Sequence, residues 1–184
     1  MNATAAESTA AESTAAKSQA DTGKEFVISR VFAAPRELLF ACFTEPERMQ
    51  QWWGPKGFKV IAQKMDLRVG GSYHYGMRGP DGNAVWGKFV YREIVRPSRV
   101  VLVNSFSDEA GGLTRHPFAP TWPIQMLTTF LFDAEGDGTR LTIKWLPLDP
   151  TDEERATFEG GFDSMTQGWS GTFEQLADYL ATAR

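Results

Sequence analysis

The chain has 184 residues, a formal net charge of −4, and a composition that is 42% hydrophobic and 12% aromatic. That is enough apolar material for one sizeable core, and a second full domain would be cramped. The acidic balance, with a pI near 5.3, excludes a broad electrostatic grip on nucleic acid or an anionic membrane, because a phosphate backbone must be met by a basic surface.

Residues 1–23 contain a repeated five-residue unit, TAAES, TAAES, TAAKS, with no large apolar side chain after Met1. The segment has too little to bury to offset the entropy of ordering, so its composition predicts a disordered or weakly helical tail. The early basic residues and central apolar run of a secretion signal are missing, and no stretch approaches the ~20 apolar residues of a membrane span. The expectation is a soluble, cytoplasmic protein with a single domain over 24–184.

From Lys24 the segment KEFVISRVF predicts a strand, which Ala34-Pro35 ends before a helix over Arg36–Phe43. That helix turns Leu38, Leu39, Cys42 and Phe43 to the core. Cys42 is the only cysteine; without a partner or a neighbouring His or basic cluster it reads as a buried thiol in a reducing compartment. Thr44, followed by Pro46 and Glu47, predicts the cap of a second short helix through Trp53, which Gly54-Pro55 stops.

Strands follow at about 57–66, 71–78, 84–95, 99–107, 122–133 and 138–146, separated by Gly, Pro and Asp turns and one long loop over 108–121. Tyr73, Tyr75 and Met77 alternate with Ser72, His74 and Arg78, and Leu141, Ile143 and Trp145 alternate with Arg140, Thr142 and Lys144. Short turns between consecutive strands imply antiparallel pairing with one face covered. Residues Thr151 to Thr182 then read as one long amphipathic helix of roughly 45 Å. Phe158, Phe162, Met165, Trp169, Phe173, Leu176 and Leu180 make its apolar stripe, and Thr151 with Glu154 makes a capping box at its start. The fold class is α+β, a curved antiparallel sheet wrapped around one helix.

Three segments, FAAPRELLFACFTEPERMQQWWGP, DLRVGGSYHYGM and GFDSMTQGWSGTFEQLADYL, in this order and spacing, resemble bacterial proteins related to the C-terminal domain of the heat-shock protein 90 ATPase activator. These belong to the SRPBCC superfamily, with START lipid-transfer domains, polyketide cyclases and the birch pollen allergen. The resemblance covers residues 24 to 183. It implies the helix-grip fold, in which sheet and long helix enclose a deep cavity, often for an apolar small molecule. It also implies, as a second reading, interaction with a chaperone and a link to the stress response. The chain departs from the family's eukaryotic member in having no separate N-terminal domain ahead of this one.

The inward aromatic sets are the first candidate site: Tyr73, Tyr75, Met77, Phe89, Tyr91, Met126, Phe130, Phe132, Ile143 and Trp145 from the sheet, with Phe162, Met165 and Trp169 from the helix. Aromatics with polar tips suit a pocket that is greasy yet orients a ligand, although each of these residues also suits an ordinary core. Gly160, Gly161, Gly168 and Gly171 each cost about 1 kcal/mol against Ala inside a helix. Four of them imply a close approach, a kink, or space left open. Trp52 and Trp53 are candidates to gate the cavity mouth or to pack. The 107–123 loop, with Arg115, His116 and Trp122, is a candidate lid or a plain connection.

No nucleophile elbow, phosphate loop or dinucleotide fingerprint is present, so no cofactor is read. The histidines, His74 and His116, have no Cys, Glu or Asp at metal-ligand spacing, and His74 lies on the outward phase of its strand. Three functions compete: a module binding a hydrophobic small molecule or lipid, a chaperone-interacting module, and a cyclase-like enzyme. In the last, Glu93, Asp163 or Gln167 would serve as the polar group near the pocket for acid–base chemistry on an enolisable carbonyl.

Overall fold

The computed structural model describes residues 23–183; the predicted tail, Gly23 apart, lies outside them. Strand β1 (Phe26–Phe32) leads into helices α1 (Arg36–Thr44) and α2 (Pro46–Trp52). Then come β2 (Lys59–Met65), β3 (Ser72–Arg78), β4 (Ala84–Val95), β5 (Arg99–Ser107), the two-residue β6 (Leu113–Thr114), β7 (Gln125–Glu135) and β8 (Gly138–Pro147). Helices α3 (Asp152–Gly160) and α4 (Phe162–Thr182) close the chain.

The strands form one antiparallel sheet in the order β1-β8-β7-β5-β4-β3-β2, with β6 pairing the end of β5 beyond the reach of β7. Bulges between Val60 and Ala62 and between Tyr91 and Glu93 shift the register. Such insertions bend and twist a strand, which helps this sheet curl into a trough. This is the α+β helix-grip architecture that the element order and the resemblance lead one to expect.

Alternation decides the trough's inner face. Tyr73, Tyr75 and Met77 of β3 stand opposite Phe89, Gly87 and Val85 of β4. Phe89 in turn faces Asn104 of β5, and Asn104 faces Met126 of β7. The inner row of β7 then meets Trp145, Ile143 and Leu141 of β8.

One end of the trough is filled with rings from α1. Phe40 packs on Phe132 at 5.4 Å, and Phe43 packs on Phe130 at 4.9 Å and on Phe132 at 5.4 Å between centroids. Cys42 is fully buried beside them, and burial pushes its thiol up to about 11, so it is not a nucleophile at neutral pH. Thr44 does not cap α2. It is the last residue of α1, and its hydroxyl donates back to the Phe40 carbonyl at 2.9 Å, a local bond that competes with capping. Glu45 takes the cap position of α2 without accepting a backbone N–H of the helix, its carboxylate being engaged by the Arg48 side chain at 2.7 Å.

The long C-terminal helix is in fact two. Gly161 ends α3 and begins α4 with φ −90° and ψ 1°, outside helical geometry. Trp122 presses on this point: a Cβ on Gly161 would stand 3.2 Å from its ring and 3.3 Å from the Thr157 carbonyl. The apolar stripe carries through the break because three- and four-residue spacing is a property of each segment separately. Phe158, Met165, Trp169, Phe173 and Leu176 are buried, with Phe162 and Leu180 partly so. The expected capping box forms at the start of α3. Glu154 N–H donates to the Thr151 hydroxyl at 3.2 Å, and Thr151 N–H donates to the Glu154 carboxylate at 3.0 Å. At 1.5 Å per residue, the 21 residues of α4 span about 32 Å across the trough.

Phe132 sits at the centre of the filled end with no exposure to solvent. Phe132→Ala should destabilise the domain by about 3–5 kcal/mol, as for other buried Phe truncations. Urea unfolding followed by circular dichroism measures it; a loss under about 1 kcal/mol would contradict the packing described.

Candidate functional site

The other half of the trough is not filled. Between the sheet, α3, α4 and the 115–122 loop lies a cavity of about 680 Å³, open to solvent on one side. Its walls are Tyr75 and Met77 of β3, Val85 and Phe89 of β4, Phe106 of β5, Met126 and Phe130 of β7 and Trp145 of β8. Trp53 and Phe58 contribute from the segment after α2, and His116, Phe118 and Trp122 from the loop. Met165 and Trp169 of α4 face them. No Asp, Glu, Lys or Arg lines this space among the described residues.

Thus eight of the thirteen expected ligand-facing side chains, Tyr75, Met77, Phe89, Met126, Phe130, Trp145, Met165 and Trp169, line the cavity. Tyr73, Tyr91, Ile143 and Phe162 do not, and neither does Phe132. Tyr73, Tyr91 and Ile143 point inward, but they stand at the end of the trough that α1 and α2 close. Tyr73 is fully buried, stacks on Tyr75 at 5.0 Å and donates its hydroxyl to Gln63 at 3.0 Å. Phe162 packs sideways on Phe26 at 5.5 Å and Phe158 at 5.4 Å.

The paired tryptophans divide their roles. Trp52 is structural: it is 2% exposed, packs at a tilt on Phe43 at 4.8 Å and donates its indole N–H to the Cys42 carbonyl at 3.2 Å. Trp53 turns to the cavity and meets Tyr75, Phe89 and Trp169 edge-on at 5.5–6.0 Å. Burial pushes the Tyr75 phenol up to about 12, with the nearby Trp53 indole acting the other way, so the hydroxyl keeps its proton. Neither tryptophan stays at the surface.

The loop is tied down at one point and exposed at another. Arg115 does not line the cavity. Its guanidinium donates to Glu154 at 2.9 Å and to the Pro120 carbonyl at 3.0 Å, pinning the loop to the first turn of α3. The Thr151 backbone N–H, then Arg115, hold the Glu154 carboxyl below its usual range. His116 sits over Phe106 at 4.5 Å, and its Nδ1 accepts from the Phe118 N–H at 3.0 Å. A backbone N–H only donates, so this nitrogen carries no proton and the ring is neutral. Partial burial lowers its affinity for a proton further. Phe118 follows at the rim, 80% exposed.

His74 faces away from the cavity, stacked on Trp86 at 5.2 Å with its Nε2 3.1 Å from the Asp108 carbonyl. Glu93 pairs with Arg99 at 3.5 Å, and Asp163 and Gln167 are exposed on the outer side of α4. None of these three lines the cavity, because their helix and strand phases turn them outward.

Two features go beyond the sequence reading, which singles out Gly160 and Gly168 among four helical glycines but not the stripe they belong to. The first is a stripe of small residues on the cavity side of α3 and α4, Gly160, Ser164, Gly168 and Thr172, repeating every four positions. A Cβ on Gly160 or Gly168 would meet nothing within 4 Å, so these positions leave volume instead of permitting close packing. The four-residue spacing was the available signal. The second is a polar pair in the cavity floor, Asn104 of β5 and Thr128 of β7, joined by a 2.7 Å hydrogen bond. Asn104 falls on the inward phase of β5, between Leu102 and Phe106, and a polar residue there was legible as an exception.

Several solved structures share this fold. A Mycobacterium smegmatis protein is 22% identical, with a TM-score of 0.70 over 87% of this chain and 92% of its own. A protein from Arthrobacter aurescens is 24% identical, with a TM-score of 0.71 over 86% and 87%. One from Nitrosomonas europaea is 25% identical, with a TM-score of 0.67 over 88% and 97%. No curated protein sequence matches the chain. The model of the family described as activator of Hsp90 ATPase homolog 1-like protein matches residues 33–181, from the end of β1 through nearly all of α4. The chain therefore belongs to that family, a bacterial-type branch of the SRPBCC superfamily of helix-grip ligand-binding domains.

Proposed function

We propose that this domain binds a hydrophobic small molecule, an apolar or aromatic metabolite or a lipid, in the cavity between the sheet and α4. The observation that carries the reading is the small-residue stripe opposite aromatic walls. At Gly160 and Gly168, exposed positions that line the cavity, an added Cβ would meet only open space, and about 680 Å³ stays open. That volume lies within the ~300–1,000 Å³ range of ligand pockets, and its apolar lining with few polar groups has their usual character. Tyr75, Met77, Phe89, Met126, Phe130, Trp145, Met165 and Trp169 form the walls, Trp53 and Trp122 the mouth, and the His116–Phe118 segment the lid.

A chaperone-directed role draws support from the family description alone, and stimulation of a chaperone ATPase by this protein would move it to first place. Acid–base catalysis of the cyclase kind would fall to His116, the imidazole at the cavity's edge.

Native mass spectrometry of freshly purified protein, followed by titration with fatty acids and polyaromatics, tests the binding reading. The wild type should carry or take up a ligand. Gly168→Ala should retain binding and gain up to about 1 kcal/mol of stability, because a helical Gly becomes Ala without a clash. Gly168→Trp should plug the opening and weaken binding at least tenfold with the circular dichroism spectrum unchanged. Equal affinity in wild type and Gly168→Trp would remove this cavity as the site.

The lid should respond to pH. The folded state lowers the His116 proton affinity, so the loop geometry is fully stable above the ordinary value of about 6.5 and weakens as pH falls through the lower folded value. Protonated Nδ1 cannot accept from Phe118. The protection factor of the Phe118 amide, its exchange rate by NMR corrected for the intrinsic pH dependence, should therefore fall on acidification with a midpoint below about 6.5. A midpoint above that would contradict the assignment.

A further inference from the structure

Asn104 and Thr128 meet in the cavity floor, on neighbouring strands, between Phe89 on one side and Trp145 on the other. Thr128 is 1% exposed, so its hydroxyl proton has to find an acceptor within the protein. The Asn104 side-chain oxygen, 2.7 Å away, is the hydrogen-bond partner present. That distance suits O–H···O, whereas N–H···O bonds centre on about 2.9–3.0 Å. In the flipped amide the hydroxyl would accept from nitrogen, and its own proton would be left in a dry interior. The amide therefore holds its oxygen to Thr128 and turns its NH2 outward from that bond.

No protein acceptor receives the NH2 group among the described residues. Asn104 is half-buried and lines the cavity. Its nitrogen is also not among the unpaired side-chain atoms sealed away from solvent, which are those of Trp53, Tyr91, Ser107 and Trp145. It is thus an oriented donor reachable only through the binding space. No Lys or Arg side chain lines that space among the described residues, so a ligand carboxylate would be stripped of water without a counter-charge, a heavy penalty.

We propose that Asn104, oriented by Thr128, is the polar anchor of the cavity and donates its NH2 to a neutral carbonyl-type oxygen on an otherwise apolar ligand. The proposal rests on the ligand-binding reading above and adds the chemical class of the ligand to it. Selectivity follows from the same geometry. A pure hydrocarbon leaves the NH2 desolvated and unpaired, and an anion finds one neutral donor where it needs a charge.

Three probes of one shape separate the possibilities by calorimetry on the full chain: 2-acetylnaphthalene, its isosteric hydrocarbon 2-isopropenylnaphthalene, and 2-naphthoate. The wild type should bind the ketone about tenfold more tightly than the hydrocarbon, and the carboxylate more weakly than the ketone. In Asn104→Leu combined with Thr128→Val, both hydrogen-bonding partners leave together; ketone and hydrocarbon should then bind alike, with hydrocarbon affinity kept. Asn104→Asp keeps an acceptor for Thr128 but sets oxygen against oxygen, and should favour the hydrocarbon over the ketone. Equal wild-type affinity for ketone and hydrocarbon, or naphthoate binding tightest, overturns the anchor while leaving the cavity as a site. Failure of all three probes to bind the wild type overturns the binding reading itself.

Discussion

A curved antiparallel sheet with an aromatic inner face cannot stand uncovered, and the way that face is covered governs the rest of this molecule. Two unlike covers share the task. At one end α1 delivers Phe40 and Phe43 directly onto Phe130 and Phe132, and nothing larger than a side chain fits between. At the other end α3 and α4 present Gly160, Ser164, Gly168 and Thr172, side chains too short to reach the sheet. Burial of rings at the first end stabilises the fold strongly enough for the second end to remain under-packed. The cavity is thus a consequence of how apolar volume is distributed along the trough.

The contacts at the open end do more than one thing each. Glu154 completes the helix cap with Thr151 and at the same time receives Arg115 from the loop, so the start of α3 and the lid are held by one carboxylate. Trp122 lines the cavity, packs on Phe158 at 5.7 Å, and stands against Gly161 where the helix breaks. Because α3 and α4 are separate rods meeting at that glycine, the part of the cavity wall beside the lid and the part formed by α4 are positioned by different anchors. Gln175 and Thr172 of α4 both donate to the Gly54 carbonyl, fixing α4 to the Trp52-Trp53 segment. Trp53 is thereby set between the aromatic wall and Trp169, where it belongs to both core and cavity.

Within this frame the polar content of the site is small and specific. Asn104 and Thr128 hold a donor in place in the floor, Tyr75 retains its phenolic proton through burial, and neutral His116 closes the rim through the Phe118 amide. Each is a neutral hydrogen-bonding group at an apolar surface. Such a lining recognises an uncharged polar atom on a hydrophobic body better than it recognises an ion.

Much of this was legible from sequence, and the reason is periodicity. Side chains alternate along a strand and recur every three to four residues along a helix whatever lies opposite, so Tyr75, Met77, Phe89, Trp145, Met165 and Trp169 declared their inward faces locally. Strand bounds at 84–95 and 99–107 and the capping box at Thr151 were equally local. What the tertiary structure decided is which inward residues fill and which line. Tyr73 and Tyr91 have the same phase as Tyr75 and Phe89, and differ only in lying where α1 and α2 close the trough. Trp122 stands against Gly161 where the helix breaks, leaving little room for a side chain, and the orientation of Asn104 depends on Thr128, 24 residues away. Period establishes a face; only three-dimensional packing establishes how far along that face the opposite wall stands off and leaves room for a ligand.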